Sequence, residues 1–362
     1  MFIEEADIVF LRLYDAADEI RLDRLSGNLF SGKLPFRQGL VRVDNQSIDL
    51  VRPPAAVELG PQSWMVGGER LEVSLSARFF DFGVVSLGAT ATVRNLELEE
   101  FADRSIQLSM GPDLDRLFET ELRSLMESVS ETLVDPRGIT GFSEEYTLYV
   151  ARKTPEPVTR EDLKELPALI RLIYGEKKPL SRQQAHLALE NAFSYAQDDL
   201  VILNYNNAFL VEKEDYADLR LLLEYANAQL LEARYYDDLL NRRLERLFKD
   251  LGETRWGVLS VFSGKMSRIS RTAMQLILET ELMTDHLTSA VRVTEDVYYA
   301  QIYNRALALF RTKAWLARMD EKLRAMRETV EMLNQEFTSR RAEVLEWIII
   351  ILIAVEVVRI FL

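Results

Sequence analysis

The chain has 362 residues, enough for about two domains of ordinary size, each with its own core. Forty-four Lys and Arg stand against 58 Asp and Glu, and the formal net charge of −14 argues against a nucleic-acid binder, which needs a basic face for phosphate contacts. Cys is absent, which removes disulfides, thiolate nucleophiles and Cys-ligated zinc.

The N-terminal residues 1–22 carry early acids and no uninterrupted apolar segment of signal-peptide type, nor are they Arg-rich and acid-poor like a transit peptide. The bulk of the chain is therefore expected on the cytoplasmic side of any membrane. To Val211 the chain mixes short strands and short helices. Residues 8–13, 48–51, 71–76 and 79–93 are rich in apolar, β-branched or aromatic side chains and are separated by Gly, Pro and Asn. A helix is predicted over 114–133, entered through Gly111-Pro112-Asp113 with Asp113 as N-cap, and Leu117, Phe118, Leu122, Leu125 and Met126 give it one apolar face. Strand character returns at 146–151. Helices are predicted at 159–173, with Thr159 and Asp162 as the cap and Gly175 as the stop, and at 181–196, opened by a Ser181/Gln184 capping box. Pro167 stands where it can split the first of these. Residues 200–203 and 208–211 flank Asn206-Asn207, a hairpin signal. Residues 1–211 thus read as an α+β domain.

Beyond Lys213 there is no Pro, and Gly occurs only at 252, 257 and 264. Residues 212–345 read as a helical domain. Leu240, Leu244, Leu247 and Leu251 repeat at helical spacing. Leu316, Met319, Leu323, Met326, Val330, Leu333 and Phe337 alternate steps of three and four. This is a coiled-coil seam, able to close as a hairpin within the chain or to recruit a second copy or another protein. The charged residues between, such as Arg318, Asp320 and Glu321, form a solvated face. One helix over 296–341 is expected to run on into the last segment.

That segment, 346–362, reads as a membrane anchor. Trp347 stands at headgroup depth, and Ile348, Ile349, Ile350, Ile351, Leu352 and Ile353 follow without a polar side chain. A helix over 344–362 would be about 28 Å long against a hydrocarbon core of roughly 30 Å. Glu356 and Arg359 interrupt it near the far end, where they can reach the opposite interface, and Arg340 and Arg341 precede it on the cytoplasmic side. Lipid is thus an expected partner.

Chemical motifs are weak. Gly27, Gly32 and Lys33 have the spacing of a phosphate-binding loop, but Leu34 replaces the magnesium-binding hydroxyl and Pro35 opposes the helix that should follow. Asp81-Phe82-Gly83 matches the kinase metal triplet without the other kinase motifs, and reads as a strand with a glycine bend. His186 and His286 stand alone, and acid pairs such as Asp198-Asp199, Asp237-Asp238 and Asp113/Asp115 are common in so acidic a chain. No cofactor or metal is expected.

Several stretches resemble the membrane-associated Required-for-Meiotic-Nuclear-Division (YagE-like) family. They are LEWIIIILIAVEVV at 345–358, FFDFGVV at 79–85, LEYANAQLLEARYYDDLL at 223–240, and the segment from Thr284-Asp285 to Tyr303. Ser86-Leu87-Gly88 departs from the family pattern, as does the lack of Pro and Trp between 284 and 303. The resemblance implies a helix-rich protein attached to a membrane at its C-terminus that tends to oligomerise. The expectation is a non-enzymatic, membrane-tethered scaffold or oligomerisation protein. The alternative is an enzyme using carboxylates such as Asp81, Asp285 or Glu295.

Overall fold

The computed structural model describes residues 1–30, 35–37, 48–109, 111–137, 142–159, 162, 166–252, 265–289, 291–293 and 297–361. By internal contacts the chain divides into two compact units, Met1–Glu232 with Leu287–Lys313, and Ala233–His286 with Ala314–Leu362. The sequence changes character after Lys213, where a long helix is about to begin; the contacts divide later, within that helix.

The first unit is built on strands. They are β1 (Phe2–Asp15), β2 (Glu19–Ile20), β3 (Phe36–Arg37), β4 (Ile48–Leu50), β5 (Ala55–Val66), β6 (Glu69–Phe79), β7 (Val84–Glu97), β8 (Leu133–Val134), β9 (Ser143–Lys153), β10 (Ala192–Phe193), β11 (Leu200–Leu203), β12 (Asn207–Val211) and β13 (Val291–Val293). Nine of them form one sheet in the order β10-β11-β12-β9-β1-β7-β6-β5-β3, antiparallel except where β12 runs parallel to β9. The central strand β1 pairs with β7 from Phe2↔Glu97 to Asp15↔Val84. Both faces of β1 are buried, which is why 8–13 reads as an apolar run rather than an alternation.

Helices α1 (Leu98–Ser109), α2 (Pro112–Ser128), α3 (Pro167–Tyr174) and α4 (Arg182–Leu189) belong to this unit. On one side of the sheet Ile8, Phe10, Leu75 and Phe79 share a core with Phe101 of α1 and Leu122 of α2. The helix α5 (Ala217–Gly252) sends its first residues, to Glu232, against the other side, where Tyr225 meets Phe80 and Phe82 edge-on at 5.2 and 5.8 Å. The helix α7 (Val297–Leu309) and β13, which pairs with β4, complete the unit. That pairing is an exception to the all-helical reading of 212–345.

Local signals fared unevenly. Gly175 closes α3 in the left-handed region (φ 67°), Ser181 caps α4 by accepting from the Gln184 amide at 3.3 Å, and β11 and β12 flank Asn204–Asn206 as a hairpin. Asp113 does not cap α2. Gly111 holds that place with Pro112 in the first turn, and the Asp113 carboxylate instead accepts from the Gly67 amide at 3.1 Å. Pro167 begins α3 rather than splitting a longer helix, because a ring without an N–H fits the first helical position. Asp81-Phe82-Gly83 forms the turn between β6 and β7, with Gly83 at φ 97°. There a Cβ would meet the Ala17 carbonyl oxygen at 1.9 Å.

In the second unit, α5 from Ala233, α6 (Lys265–Ser289) to His286 and α8 (Thr312–Phe361) from Ala314 share one core. Tyr236 and Leu240 meet Ile269, Ala273, Leu276 and Ile277, and both sets meet Met319, Leu323, Met326 and Val330. Leu316 packs against this core, Leu333 is buried and Phe337 is half-buried. Seven seam residues therefore face inward, but α6 joins α5 and α8 in the core, which a two-helix hairpin does not provide for. The side chains of Leu247 and Leu251 lie outside the described ones. The expected single helix from 296 is broken: α7 ends at Leu309, Phe310 is buried, and Arg311 adopts φ 56° before α8 begins.

The helix α8 then runs 50 residues to Phe361. Among the described residues no helix is long and apolar enough to cross a membrane, so the expected single pass over 344–362 is not met. Glu346 and Glu356 bracket an uncharged stretch of only nine residues, and Arg359 follows.

Candidate functional site

The strongest concentration of buried charge lies between the sheet and α5. Along β6, Leu75, Ala77 and Phe79 enter the helix-covered core, so Ser76 and Arg78 point the opposite way, towards α5. One turn of α5 separates Arg220 from Glu224. The Oε1 atom of Glu224 accepts from Arg220 Nε at 2.6 Å and from Arg78 Nη1, and Arg220 Nη2 donates to Ser76 Oγ at 2.8 Å. Burial opposes the charge on all three. It lowers the Arg78 guanidinium, whereas the two arginines hold the Glu224 carboxyl below the usual carboxylate range, and Glu224 in turn raises Arg220. The second carboxylate oxygen of Glu224 is buried without a hydrogen-bond partner.

Beside this triad, buried Asp7 accepts from Tyr216 Oη at 3.0 Å and from Thr92 Oγ1 at 2.7 Å, with Arg152 3.6 Å away. An open cleft of about 720 Å³ lies over the network, bounded by Asp7, Glu58, Arg78, Arg152, Tyr216 and Arg220, with exposed Phe36 at its edge. The volume is that of small-molecule clefts. Its cations are matched by carboxylates on the same walls.

A second cluster joins the end of β1 to α5. Asp15 and Glu232 are fully buried. Arg137 donates to Asp15 Oδ1 through Nη1 and to Asp18 Oδ1 through Nε at 2.8 Å. Burial pushes the Asp15 carboxyl up to about 6 against the pull of Arg137, and pushes Glu232 well above the carboxylate range, with the Asp15 charge adding to it. Asp15 Oδ2 and both oxygens of Glu232 lack partners. The two shifts run the same way, since burial and the neighbouring negative charge each disfavour the ionised form. Neither carboxyl lines the cleft over the Glu224 network.

The residues singled out in the sequence are mostly absorbed by structure. Asp81 pairs with Arg52 at 2.9 Å, His186 is exposed on α4, and Asp285 is exposed on α6. Gly32, Lys33, Leu34 and Glu295 lie outside the described residues, as does the side chain of His286. Asp115 pairs with Arg12, Asp198 with Lys213, Asp237 with Lys322 and Asp238 with Arg242, while Asp199 braces the 194–196 turn. The anchor residues Trp347, Ile348, Ile349, Ile350, Ile351, Leu352, Ile353, Glu356 and Arg359 are all exposed on α8. Sequence reasoning missed Arg78, Glu224, Asp15 and Glu232. The available signal was an acid inside an apolar helical run, as in Leu221-Leu222-Leu223-Glu224-Tyr225-Ala226.

These features define a mixed α/β protein with a large N-terminal sheet, buried charge clusters beneath its long helix and several C-terminal helices. Residues 5–218 match the family described as "Uncharacterized protein MJ0711, N-terminal domain", and the chain belongs to that family. The "Uncharacterized protein MJ0711" of Methanocaldococcus jannaschii is 24% identical over 249 residues, covering 68% of this chain and 74% of that protein. No solved structure matches. Neither match links the chain to the Required-for-Meiotic-Nuclear-Division family that its motifs resemble.

Proposed function

We propose that the protein is a non-enzymatic scaffold held at a lipid bilayer by the apolar end of α8, with the three-helix cluster as a spacer and a surface for self-association. The observation that carries this reading is the exposure of every large apolar side chain from Leu345 to Val358, Trp347 at 65% and Leu352 at 63% among them. The exposed residues are consecutive, so they surround the helix rather than line one face. A helix apolar on all sides is stable inside a large core or in lipid. The uncharged stretch between Glu346 and Glu356 is about 14 Å long at 1.5 Å per residue, so the end embeds without crossing. Glu356 and Arg359, three residues apart, are placed to offset one another's charge. Resemblance of 345–358 to the closing motif of a membrane-associated family points the same way. The enzyme alternative would draw on a carboxylate such as Asp81, which is already engaged by Arg52 at 2.9 Å.

Flotation of the full-length protein with anionic and zwitterionic vesicles at high salt tests the tether. The native chain is expected to float with both, and Ile350→Asp/Ile353→Asp to stay at the bottom of the gradient. A native chain that also stays at the bottom, while folded, removes the lipid reading.

A further inference from the structure

In the second unit a small groove of about 260 Å³ is rimmed by Arg243 and Arg246 of α5 and Arg268 of α6. Its floor is the core itself: Ile269, Ala273, Leu276 and Met326 line it and are each at most 7% exposed. Elsewhere in the described structure arginines commonly meet acids, as Arg12, Arg78, Arg137, Arg171 and Arg327 do. The three rim arginines have no ion-pair or hydrogen-bond partner among the described residues. Three unmatched guanidiniums over an apolar floor complement an anion that carries an apolar body. The planar guanidinium fork fits carboxylate and phosphate oxygens alike.

We infer that this groove binds a small amphiphilic anion, with a carboxylate or phosphate head on the three guanidiniums and a single aliphatic chain of medium length on the floor. Its volume lies just below the range of about 300 to 1,000 Å³ common for drug-sized ligands, which excludes a long or branched chain. The ligand comes from solution rather than from the bilayer at the apolar helix end. Met326 lies 21 residues before Trp347 on the same helix, a distance of about 32 Å along its axis.

Calorimetry on the full-length protein with decanoate and with decyl phosphate, each below its micellar concentration, tests the assignment; inorganic phosphate and butyrate serve as chain-free and short-chain probes. Saturable one-to-one binding of either ten-carbon probe is expected, and the tighter of the two identifies the head group. Arg246→Gln/Arg268→Gln should weaken it at least tenfold with an unchanged melting temperature, since both side chains are exposed. Absence of saturable binding by both ten-carbon probes overturns the proposal. So does undiminished binding in the folded double variant, which would locate the amphiphile elsewhere, for instance on the apolar end of α8. Inorganic phosphate or butyrate binding as tightly as the ten-carbon probes would show that the floor takes no part, and would overturn it equally.

Discussion

Gly88 leaves the space that the Arg220 guanidinium fills: a Cβ on Gly88 would stand 2.2 Å from Arg220 Nη2 and 2.9 Å from Ser76 Oγ. The glycine is therefore a requirement of the charge network, and its backbone does not need a left-handed conformation there. Gly88→Ala is expected to cost about 1–3 kcal/mol through overpacking, read as a lower urea midpoint at unchanged slope. Combining it with Arg220→Met should restore part of that loss, since the clash and the guanidinium disappear together.

Glu224 is the shared acceptor of two buried arginines, so its removal takes from both their nearest counter-charge. Glu224→Ala should lower stability by about 3–5 kcal/mol, as when one partner of a buried ion pair is removed. Replacing the triad together, Arg78→Met/Arg220→Met/Glu224→Leu, should be far less costly, because desolvation of all three charges is then avoided. Equal losses in the single and triple variants would show that the network is more than a structural brace.

The Asp15/Glu232 pair predicts the sign of a pH effect. Both carboxyls are raised in the folded state, so the native chain holds protons that the unfolded chain releases. Stability from these groups is greatest below the ordinary aspartate value, and is lost as pH rises towards and through about 6 for Asp15. Glu232→Gln should flatten that decline and raise the melting temperature at pH 8. Asp15→Asn should flatten it as well but with a smaller gain at pH 8, because Arg137 then loses one of its two counter-charges while the amide oxygen still accepts. Thermal melts between pH 4 and pH 8 separate the two.

The inward seam of α8 should be costly to truncate and its outer face cheap. Leu323→Ala, at 3% exposure, is expected to lose about 2–5 kcal/mol, whereas Met332→Ala, at 62% exposure, should stay within about 0.5 kcal/mol. Urea melts of the two variants check this, and similar losses in both would mean that the outer face is covered in solution.

Much of the local architecture was legible because it rests on short-range chemistry. A strand buried on both faces shows as an apolar run at 8–13, a capping serine shows as Ser181 before Gln184, and a glycine stop shows at Gly175. Helical spacing alone groups Met319, Leu323, Met326 and Val330 on one face of α8, and those four are buried. What escaped depends on long-range partners. Nothing near Phe310 and Arg311 in sequence signals a break. Phe310 is fixed instead by edge contacts to Tyr146 at 5.6 Å and Tyr205 at 6.2 Å, from far earlier in the chain. The helix α1 was missed although Phe101, Ile106 and Leu108 mark its buried face. The third helix of the C-terminal core was missed because a heptad pattern does not state how many helices share it. Buried charges were the least legible, since Arg78 and Glu224, 146 positions apart, explain each other only once the chain has folded.

The two compact units are interleaved along the chain, and this bears on how the protein is made. The first unit is incomplete at Glu232, because residues 287–313 supply β13, α7 and Phe310, whose ring packs on Tyr146 of β9. A chain emerging from the ribosome cannot finish its sheet-based unit until residue 313 has been released. By then the α5 and α6 segments of the other core have already appeared, and α8, which closes that core, is still to come. Maturation is therefore expected to be late and concerted, with a nascent chain stopped near 232 sensitive to protease and one extended past 313 protected over its first unit.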